Sequence, residues 1–312
     1  MEQDISYTVE EVANLLKVSK LTVYDLLKKG TLPSFKVGRQ MRIQAKDLQL
    51  FINGKQSNNH LPQKESNQQM HVQNQTQTKR RVVISGQDLV LDMLGKQLDK
   101  LGSFVSLRSN EGSLNGLISM YKDECDIVSL HMFDAETGTY NLPYVNRILV
   151  GHSYMVLNLL SRNAGLMVSK SNPLHLQNWT DLQGNNIRFI NREVGSGARI
   201  LLEEQLKLYH IQPSQVHGYH HVESSHLAVA SAIAAGKADV GVGIEKVAKL
   251  VDLEFIPLIK ERYDIVIRKT LENEVLLQQI QKIVTNPDFI KEIQSLGNYD
   301  TSLTGEVIFE TE

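Results

Sequence analysis

Residues 80–130 read RRVVISGQDLVLDMLGKQLDKLGSFVSLRSNEGSLNGLISMYKDECDIVSL, and short apolar runs alternate there with amphipathic ones. The runs RRVVISG, FVSL and DIVSL have the length and composition of buried strands. Between them, DLVLDMLGKQLDKL and LNGLISMY repeat their apolar residues at the spacing of a helix. This β-α-β-α-β order predicts a parallel sheet with helices packed on its faces, and therefore an α/β fold.

Small polar residues stand where four of the predicted helices begin. A helix amino terminus carries unpaired N–H groups and a partial positive charge, and a serine hydroxyl adds a donor without bulk. Four such starts, two in each half of the body, favour a cleft between two α/β lobes that closes around an anion. Outside the segment 187–206, the candidate ligand-binding residues are Ser85, Gly86, Gly112, Ser113, Ser224 and Ser225.

The strand-to-helix junction with the most candidate ligand residues is IRFINREVGSGARILLEEQL at residues 187–206. Its glycines let backbone amides approach a ligand, and its arginines bring positive charge to an otherwise acidic body. The spacing differs from a Walker P-loop, from a dinucleotide fingerprint and from a nucleophile elbow. A tight strand-to-helix turn with solvent-facing arginines is the structural alternative. The candidate ligand-binding residues here are Asn191, Arg192, Gly195, Ser196, Gly197 and Arg199.

Residues 6–53 form a separate patterned unit. Thr8 and Glu11 make a capping box for a first helix, and Ser19 caps a second helix that ends at Gly30. Two helices joined by a short turn are typical of a helix-turn-helix, whose second helix can enter a major groove. The following hairpin, LPSFKVGRQMRI at residues 32–43, offers guanidiniums for phosphate contacts. The candidate DNA-binding residues are Lys20, Thr22, Tyr24, Lys28, Arg39 and Arg42; a helical interaction module with a solvated basic face is the alternative.

Charge and composition separate three segments. Residues 1–81 hold 13 Lys/Arg and 7 Asp/Glu, whereas residues 82–312 carry a net charge of −8, so a basic end precedes an acidic body. Residues 55–79 contain eleven Asn/Gln in 25 positions and predict a flexible linker. The predicted domains are therefore a DNA-binding domain at 1–54, a linker at 55–79 and a ligand-binding domain at 80–312.

Several function classes are not favoured by the sequence. A single cysteine, Cys125, excludes an intramolecular disulfide and a cysteine-based zinc site. Without a signal-peptide pattern or a long apolar run, we expect a cytoplasmic protein with no membrane partner. We expect no cofactor, no metal and no catalytic residues, because no nucleophile-base pair or metal frame is evident. Four histidines (His217, His220, His221 and His226) invite a metal interpretation, but they lack a defined ligand pattern.

The stretch TVEEVANLLKVSKLTVYDLLKKGTLPSFKVGRQMRI, residues 8–43, resembles the excisionase-family, MerR-related winged helix-turn-helix of bacterial regulators. The resemblance implies that the second helix reads the major groove while the hairpin wing touches the backbone or the minor groove. It places Lys20, Thr22, Tyr24 and Lys28 on the reading helix, and Arg39 and Arg42 on the wing.

Roughly residues 82–270 resemble the periplasmic-binding-protein-like domain found fused to helix-turn-helix units and sometimes to molybdenum-cofactor enzymes. The matching stretches are EGSLNGL, HMFDAETGTYNLPYV, GLMVSKSNP, FINREVGSGAR, HLAVASAIAAGKADVGVGI and FIPLIKERYDIVI. The resemblance implies a type II fold with two hinge crossovers and lobes at about 82–160 plus 260–312 and at 162–258. One departure is Ala198, where relatives often carry Thr. His131 in SLHMFD stands at a predicted strand end where the cleft should open, which makes it a further candidate for a ligand contact. From Glu261, Arg262 and Tyr263 we expect hinge packing before ligand contact.

That family is similar to molybdate and tungstate binders, which hold a tetrahedral dianion with serine hydroxyls and backbone amides. The fold prediction is therefore α/β, with a small winged helix-turn-helix before a two-lobed type II domain. The predicted function is a ligand-responsive, homodimeric transcription regulator that binds double-stranded DNA and a small anion. A molybdate-type oxyanion is the first choice of ligand, and an organic anion or a molybdenum-cofactor-related metabolite is the alternative. An enzyme with a DNA-localising domain and an architectural DNA-bending protein are the competing classes.

Overall fold

A computed structural model describes residues 6–16, 19–28, 32–37, 40–52, 79–184 and 186–312. The chain forms two compact units, residues 1–74 and 75–312. The predicted linker lies almost wholly outside the described residues, as do Gly30 and Arg39. Within the described residues, no helix is both long enough and apolar enough to cross a membrane.

In the described part of the N-terminal unit, three helices pack against a three-stranded sheet. Its elements in chain order are β1 (Ser6–Thr8), α1 (Val9–Leu16), α2 (Lys20–Lys28), β2 (Phe35–Val37), β3 (Gln40–Gln44) and α3 (Ala45–Ile52). Val12, Val23 and Ile43 are fully buried at its centre, as the apolar spacing of the two helices requires. The strand β1, which the sequence did not predict, pairs antiparallel with β3.

Side chains define both helix starts in this unit. The Thr8 N–H donates to Glu11 Oε2 at 2.7 Å, and the Glu11 N–H donates to Thr8 Oγ1 at 3.3 Å. The Thr22 N–H donates to Ser19 Oγ at 3.1 Å at the start of α2. The predicted capping box and the predicted Ser19 cap are thus confirmed, and they fix where the two helices begin.

The larger unit alternates strands and helices along most of its length. Its elements are β4 (Arg80–Ser85), α4 (Val90–Lys100), β5 (Phe104–Ser109), α5 (Ser113–Tyr121), β6 (Ile127–Leu130), β7 (Phe133–Asp134), β8 (Thr139–Tyr140), α6 (Leu142–Ile148), β9 (Tyr154–Val168), β10 (Phe189–Arg192), α7 (Gly197–Leu208), β11 (Val222–Glu223), α8 (His226–Ala234), β12 (Val240–Ile244), α9 (Glu245–Leu250), β13 (Glu254–Arg268), α10 (Glu274–Val284), α11 (Pro287–Ser295), β14 (Tyr299–Asp300) and β15 (Val307–Glu310).

One mixed sheet connects both lobes of this unit. Its strand order is β11-β10-β12-β9-β13-β6-β4-β5, and β14 and β15 also pair with β9. The strand β4 runs parallel to β5 and β6, as predicted, and β10 runs parallel to β11 and β12. The long strands β9 and β13 both run through the two lobes, and they run in opposite directions. They therefore pair antiparallel with each other.

The two long strands supply the crossings between the lobes. Residues 164–168 of β9 pair with β12 in the second lobe, whereas residues 155–157 pair with β15 in the first. On β13, residues 264–267 pair with β6 of the first lobe. Between these stretches Arg162 and Glu261 stand opposite each other in register. The crossing point therefore lies at this pair.

Helices cover both faces of the sheet in each lobe. In the first lobe, α4, α10 and α11 share one apolar core with the strands, and α5 and α6 share another on the opposite face. In the second lobe, α7 packs on one face and α8 on the other. This layering leaves the starts of α5, α7 and α8 at the gap between the lobes, where the candidate site lies.

Candidate functional site

A cleft of about 830 Å³ opens in the larger unit between its two lobes. Loops after β4 and β6, the starts of α5, α7 and α8, and the helix α9 line it. Eight of the twelve predicted ligand residues lie in this lining: Gly86, Gly112, Ser113, Arg192, Ser196, Gly197, Ser224 and Ser225. The structure thus gathers predicted residues from four separate junctions around one cavity.

Ser85 and Asn191 lie outside this lining. Ser85 is fully buried, and a Cβ added at Gly116 would come within 2.7 Å of its Oγ, so the hydroxyl points into the packing of α5. The Asn191 side-chain amide donates to the Tyr219 carbonyl at 3.1 Å and its oxygen accepts from the Arg192 N–H at 2.9 Å. The Asn191 side chain therefore supports the turn that it belongs to, whereas the buried Ser85 hydroxyl has no hydrogen-bond partner among the described residues.

Arg199 and Gly195 also lie outside the lining. The Arg199 guanidinium donates to Glu203 at 2.7 Å and stacks 4.3 Å above the Tyr219 ring, which turns it away from the cavity. Gly195 adopts a φ of +86°, and its carbonyl accepts the Leu114 N–H at 2.9 Å. The left-handed conformation and the close approach are both reasons for glycine at this position.

The hydroxyls of Ser196 and Ser225 cap the helices α7 and α8. Ser196 Oγ accepts the Arg199 N–H at 3.2 Å and donates to the Glu193 carbonyl at 2.9 Å. Ser225 Oγ accepts the Ala228 N–H at 3.0 Å. Such caps satisfy the first turn of a helix. The Ser196 hydroxyl therefore donates within its own loop, whereas the Ser225 hydroxyl accepts in its cap and keeps its own proton as a donor.

The two lobes touch directly along one side of the cleft. Besides the Leu114–Gly195 hydrogen bond, Gln87 accepts from Arg192 at 2.7 Å and donates to Glu193 at 3.2 Å. A Cβ added at Gly112 would come within 2.9 Å of the Gly195 oxygen. Both glycines allow the backbones to meet, so the lobes are closed at this edge.

A buried ion cluster lies under the cleft at the strand crossing. Arg162 Nη1 lies 2.5 Å from Asp88 Oδ2, and its Nε lies 2.6 Å from Glu261 Oε1. Burial alone would raise the pKa of Glu261, but Arg162 and His131 together lower it to about 2. The Tyr299 hydroxyl donates to Asp88 at 3.0 Å. Each ionised group in this cluster therefore has an oppositely charged partner within hydrogen-bond distance, which is the condition for keeping ionised groups inside a protein.

Two histidines, one from each lobe, face each other above that cluster. His131 Nδ1 lies 3.0 Å from Glu261 Oε2, and its ring centroid lies 6.4 Å from that of His226 and 5.4 Å from that of Tyr263. Burial, followed by Arg192 and other nearby positive groups, holds the pKa of His226 well below its usual range. His226 is therefore neutral at physiological pH. The predicted position of His131 in the cleft is confirmed by the lining.

Lys246 on α9 is a cleft residue that sequence reasoning missed. Its Nζ donates to the Leu296 carbonyl at 3.0 Å and lies 4.6 Å above the Tyr299 ring. Burial lowers its pKa. Nothing in the run EKVAKL distinguishes this lysine from a surface one. By contrast, Arg162 interrupts a long apolar strand, and that pattern is a signal that could have been read.

The exposed face of α2 carries three predicted DNA-binding residues. Lys20, Thr22 and Tyr24 are all exposed, and Tyr24 is 53% accessible although it is aromatic. Lys20 Nζ lies 2.8 Å from Glu10. Arg42 points back to Ser6, donating to its carbonyl at 3.4 Å. The side chain of Lys28 and the whole of Arg39 lie outside the described residues.

The other histidines of residues 217–226 do not gather with metal-binding partners. Within the described ranges, no group of three or more His, Cys, Asp and Glu residues is arranged to hold a metal ion. His220 instead stacks edge-on against the neighbouring Tyr219 ring, with centroids 5.3 Å apart.

Comparison with known families agrees with this two-part architecture. Residues 96–285 match the PBP superfamily domain, and residues 6–56 match a helix-turn-helix domain. The chain belongs to the PBP superfamily. It carries a DNA-binding type of domain ahead of a binding-protein type of domain.

A full-length relative and several solved structures share this architecture or part of it. The uncharacterized protein YvgK of Bacillus subtilis is 48% identical over 311 residues, which covers 100% of both chains. The tungstate ABC transporter structure from Geobacter sulfurreducens is 12% identical with a TM-score of 0.52, covering 69% of this chain and 98% of that one. A structure from Clostridium perfringens, described as a phosphate ABC transporter substrate-binding protein with bound phosphate, is 14% identical with a TM-score of 0.50, covering 68% and 97%. These structural likenesses show the fold.

Proposed function

We propose that this PBP-superfamily protein is a ligand-responsive transcription regulator without catalytic activity. The observation that carries the proposal is the presence in one chain of a helix-turn-helix with an exposed reading face and a two-lobed domain with a cleft. A DNA-binding unit alone would leave the larger unit without a role. The protein would act in the cytoplasm, where its DNA target lies.

The DNA contacts we propose come from α2 and the wing. Lys20, Thr22 and Tyr24 reach the major groove, while Arg42 supports or contacts the backbone from β3. Lysine contacts to phosphate give affinity and salt dependence, and the polar and aromatic side chains contribute to base reading. Arg39 and Lys28 remain proposed contacts from the sequence.

Ligand binding would act through the lobe contacts. A small anion that binds the closed lobes more tightly than the open ones shifts the chain toward the closed state. The Leu114–Gly195 and Gln87–Arg192 bonds are contacts that only a closed arrangement can make. The sequence favours molybdate or tungstate as the ligand, and the phosphate- and tungstate-binding neighbours share only the fold with this chain.

We further propose that the larger unit forms a homodimer. Two helix-turn-helix units would then bind two half-sites, and linked binding raises overall affinity. The mass of the full chain in solution, measured with and without DNA, tests this part separately. A monomeric mass under both conditions would exclude it.

The experiment that tests the proposed function measures DNA binding by the full chain. Fragments of its source genome are selected for binding, and the affinity for a selected fragment is then measured with and without candidate anions. We expect specific binding whose affinity changes at least fivefold with one anion, the lower range of allosteric coupling. Binding that no anion changes would leave a constitutive DNA-binding protein and contradict the proposal.

A further inference from the structure

Apolar side chains line the cleft in addition to the charged side chains beneath it, and this apolar lining is called the apolar wall below. Leu89 at the start of α4 is 50% exposed, and on the opposite lobe Leu227 is 46% exposed and Leu250 is 73% exposed; all three line the cleft. Val247 and Leu296 also belong to the lining. Apolar side chains thus face the cavity from both lobes, an arrangement typical of sites for organic molecules.

The volume of the cleft also favours an organic ligand over a small inorganic anion. Its volume of about 830 Å³ would hold on the order of 25 water molecules at about 30 Å³ each. A tetrahedral oxyanion has four oxygen atoms around one centre and fills only a small part of such a space. A strongly hydrated dianion also gains nothing from leucine side chains.

One cation of the cleft differs from the other three. Arg162, Arg192 and Lys249 each lie within 4.0 Å of a carboxylate, on Asp88, Glu193 and Glu245 respectively. Among the described residues, Lys246 has no carboxylate at that distance. Its ammonium is partly desolvated and contacts a carbonyl oxygen and an aromatic ring, while Asp88, already paired with Arg162, acts on it from beyond salt-bridge distance. A ligand carboxylate or phosphate would supply a counter-charge in direct contact.

We propose that the cleft binds an organic anion, with Lys246 paired to its anionic group and its apolar part on the leucines of both lobes. This inference rests on the proposed function, because it names the ligand class of the same site. The ligand contacts Leu89 on one lobe and Leu227, Leu250 and Lys246 on the other. Such a ligand is complementary to the closed lobes, because open lobes cannot offer both walls at once.

The experiment is calorimetric titration of the full chain with a matched series of anions. The probes are unbranched carboxylates from acetate to octanoate, octanamide as the neutral match, and molybdate and sulfate as inorganic anions. At about 0.8 kcal/mol per buried methylene, each added methylene should tighten binding about fourfold until the wall is covered. Octanoate should bind more tightly than octanamide and than either inorganic anion.

Two variants test the contribution of the Lys246 charge to ligand binding separately from that of the apolar wall. Lys246→Met should weaken octanoate binding at least about tenfold and leave octanamide unchanged, since a charge-assisted hydrogen bond is lost. Lys207→Met, an exposed lysine of α7 outside the cleft lining, is its control. Leu250→Gln should flatten the dependence on chain length, whereas Leu271→Gln, 94% exposed and also outside that lining, should not. Unchanged melting temperatures without ligand confirm that the variants fold.

Three results would overturn the inference. They are tighter binding of molybdate or sulfate than of octanoate, no dependence on chain length including no binding at all, and a carboxylate preference that survives in Lys246→Met. If molybdate alone binds and changes DNA affinity, the result supports the proposed regulatory function and rejects the organic ligand. If carboxylates bind as expected but never alter DNA affinity, the organic ligand stands and the regulator is rejected.

Discussion

Individual side chains at the strand crossing show how this cleft keeps buried charge. Arg162 stands between Asp88 and Glu261, and the two acids neutralise it from opposite sides. Removing one member leaves a buried charge without its full compensation, and that costs more than the intact pair contributes. His226 reaches the same region from the second lobe and remains neutral. Protonation and charge balance at these few residues therefore bear directly on the stability of the cleft.

Glu261→Gln should destabilise the protein by about 3 kcal/mol, because Arg162 loses one of its two buried carboxylates. The pKa of Glu261 lies near 2, below its unfolded value. Its contribution is therefore present above about pH 4.3 and is lost as the pH falls toward 2. Urea unfolding at several pH values measures both effects. Glu136→Gln breaks the exposed pair with Arg147 and should cost less than about 1 kcal/mol.

His226→Gln should make stability less sensitive to mild acid. The pKa of His226 is lowered in the folded state, so below about pH 6.5 the unfolded chain takes up a proton that the folded chain does not. In that range this histidine lowers the free energy of unfolding of the wild type by up to about 1.4 kcal/mol per pH unit, and the variant does not show this decrease. Thermal unfolding between pH 7 and pH 5 measures it, with the exposed His217→Gln as control. Parallel pH profiles for wild type and H226Q would contradict the assignment.

Helices build both of the proposed functional surfaces. In the larger unit, α5, α7 and α8 begin at the cleft, and in the smaller unit α2 presents its outer face. Ser196 and Ser225 cap their own helices, so the first turns are fixed before any ligand arrives. The lobes close where Gly112 meets Gly195, which places a backbone contact at the edge of the cleft.

Gly112→Ala should prevent full closure, because its Cβ would lie 2.9 Å from backbone atoms of Gly195 and Ser196, which cannot move aside alone. We expect a destabilisation of about 1–3 kcal/mol, the usual range for overpacking, and a larger radius of gyration in small-angle scattering. Gly184→Ala is the control, since its Cβ meets only the end of the Ile187 side chain at 2.8 Å. An unchanged radius would show that the contact does not set closure.

Lys20→Ala should weaken DNA binding about equally for all sequences and reduce the salt slope by about 1, the signature of one lost phosphate contact. The exposed pair with Glu10 adds little to folding, so stability should change by less than about 1 kcal/mol. Filter binding over a range of salt concentrations measures the slope. Lys237→Ala, an exposed lysine of the larger unit, should leave it unchanged.

Across the whole molecule, two separate cores imply two units of unequal stability. Among the residues that the structure describes, the smaller core contains seven buried apolar residues, and it is distinct from the four clusters of the larger unit. Small cores give marginal stability, because little of the chain's surface is removed from water. The two units need not unfold together.

Calorimetry of the full chain should therefore show two unfolding transitions, the smaller unit contributing the smaller enthalpy in proportion to its size. An anion present at 100 times its dissociation constant should stabilise only the larger transition, by about 2.7 kcal/mol. DNA should raise the melting temperature of the transition that belongs to the smaller unit. A single transition that both ligands shift equally would mean that the units unfold as one cooperative system.

The sequence by itself determined the order of strands and helices over residues 80–130, the caps of the first two helices and the two-part architecture. Those features depend on local spacing: Thr8 and Glu11 are three residues apart, and the apolar period of residues 80–130 marks strands and helices directly. Eight of the twelve predicted ligand residues lie at the cleft for the same reason, since helix starts after parallel strands meet at one edge of a sheet.

Only the tertiary structure decided which side chains face the cavity and with what charge. Arg199 was predicted as a ligand residue but stacks on Tyr219, whereas Lys246, in an ordinary helix, lies in the cleft without a carboxylate partner among the described residues. These outcomes depend on neighbours that are distant along the chain, such as Tyr299 beneath Lys246. Charge compensation is a property of such long-range packing, and no local pattern in a sequence encodes which groups become partners.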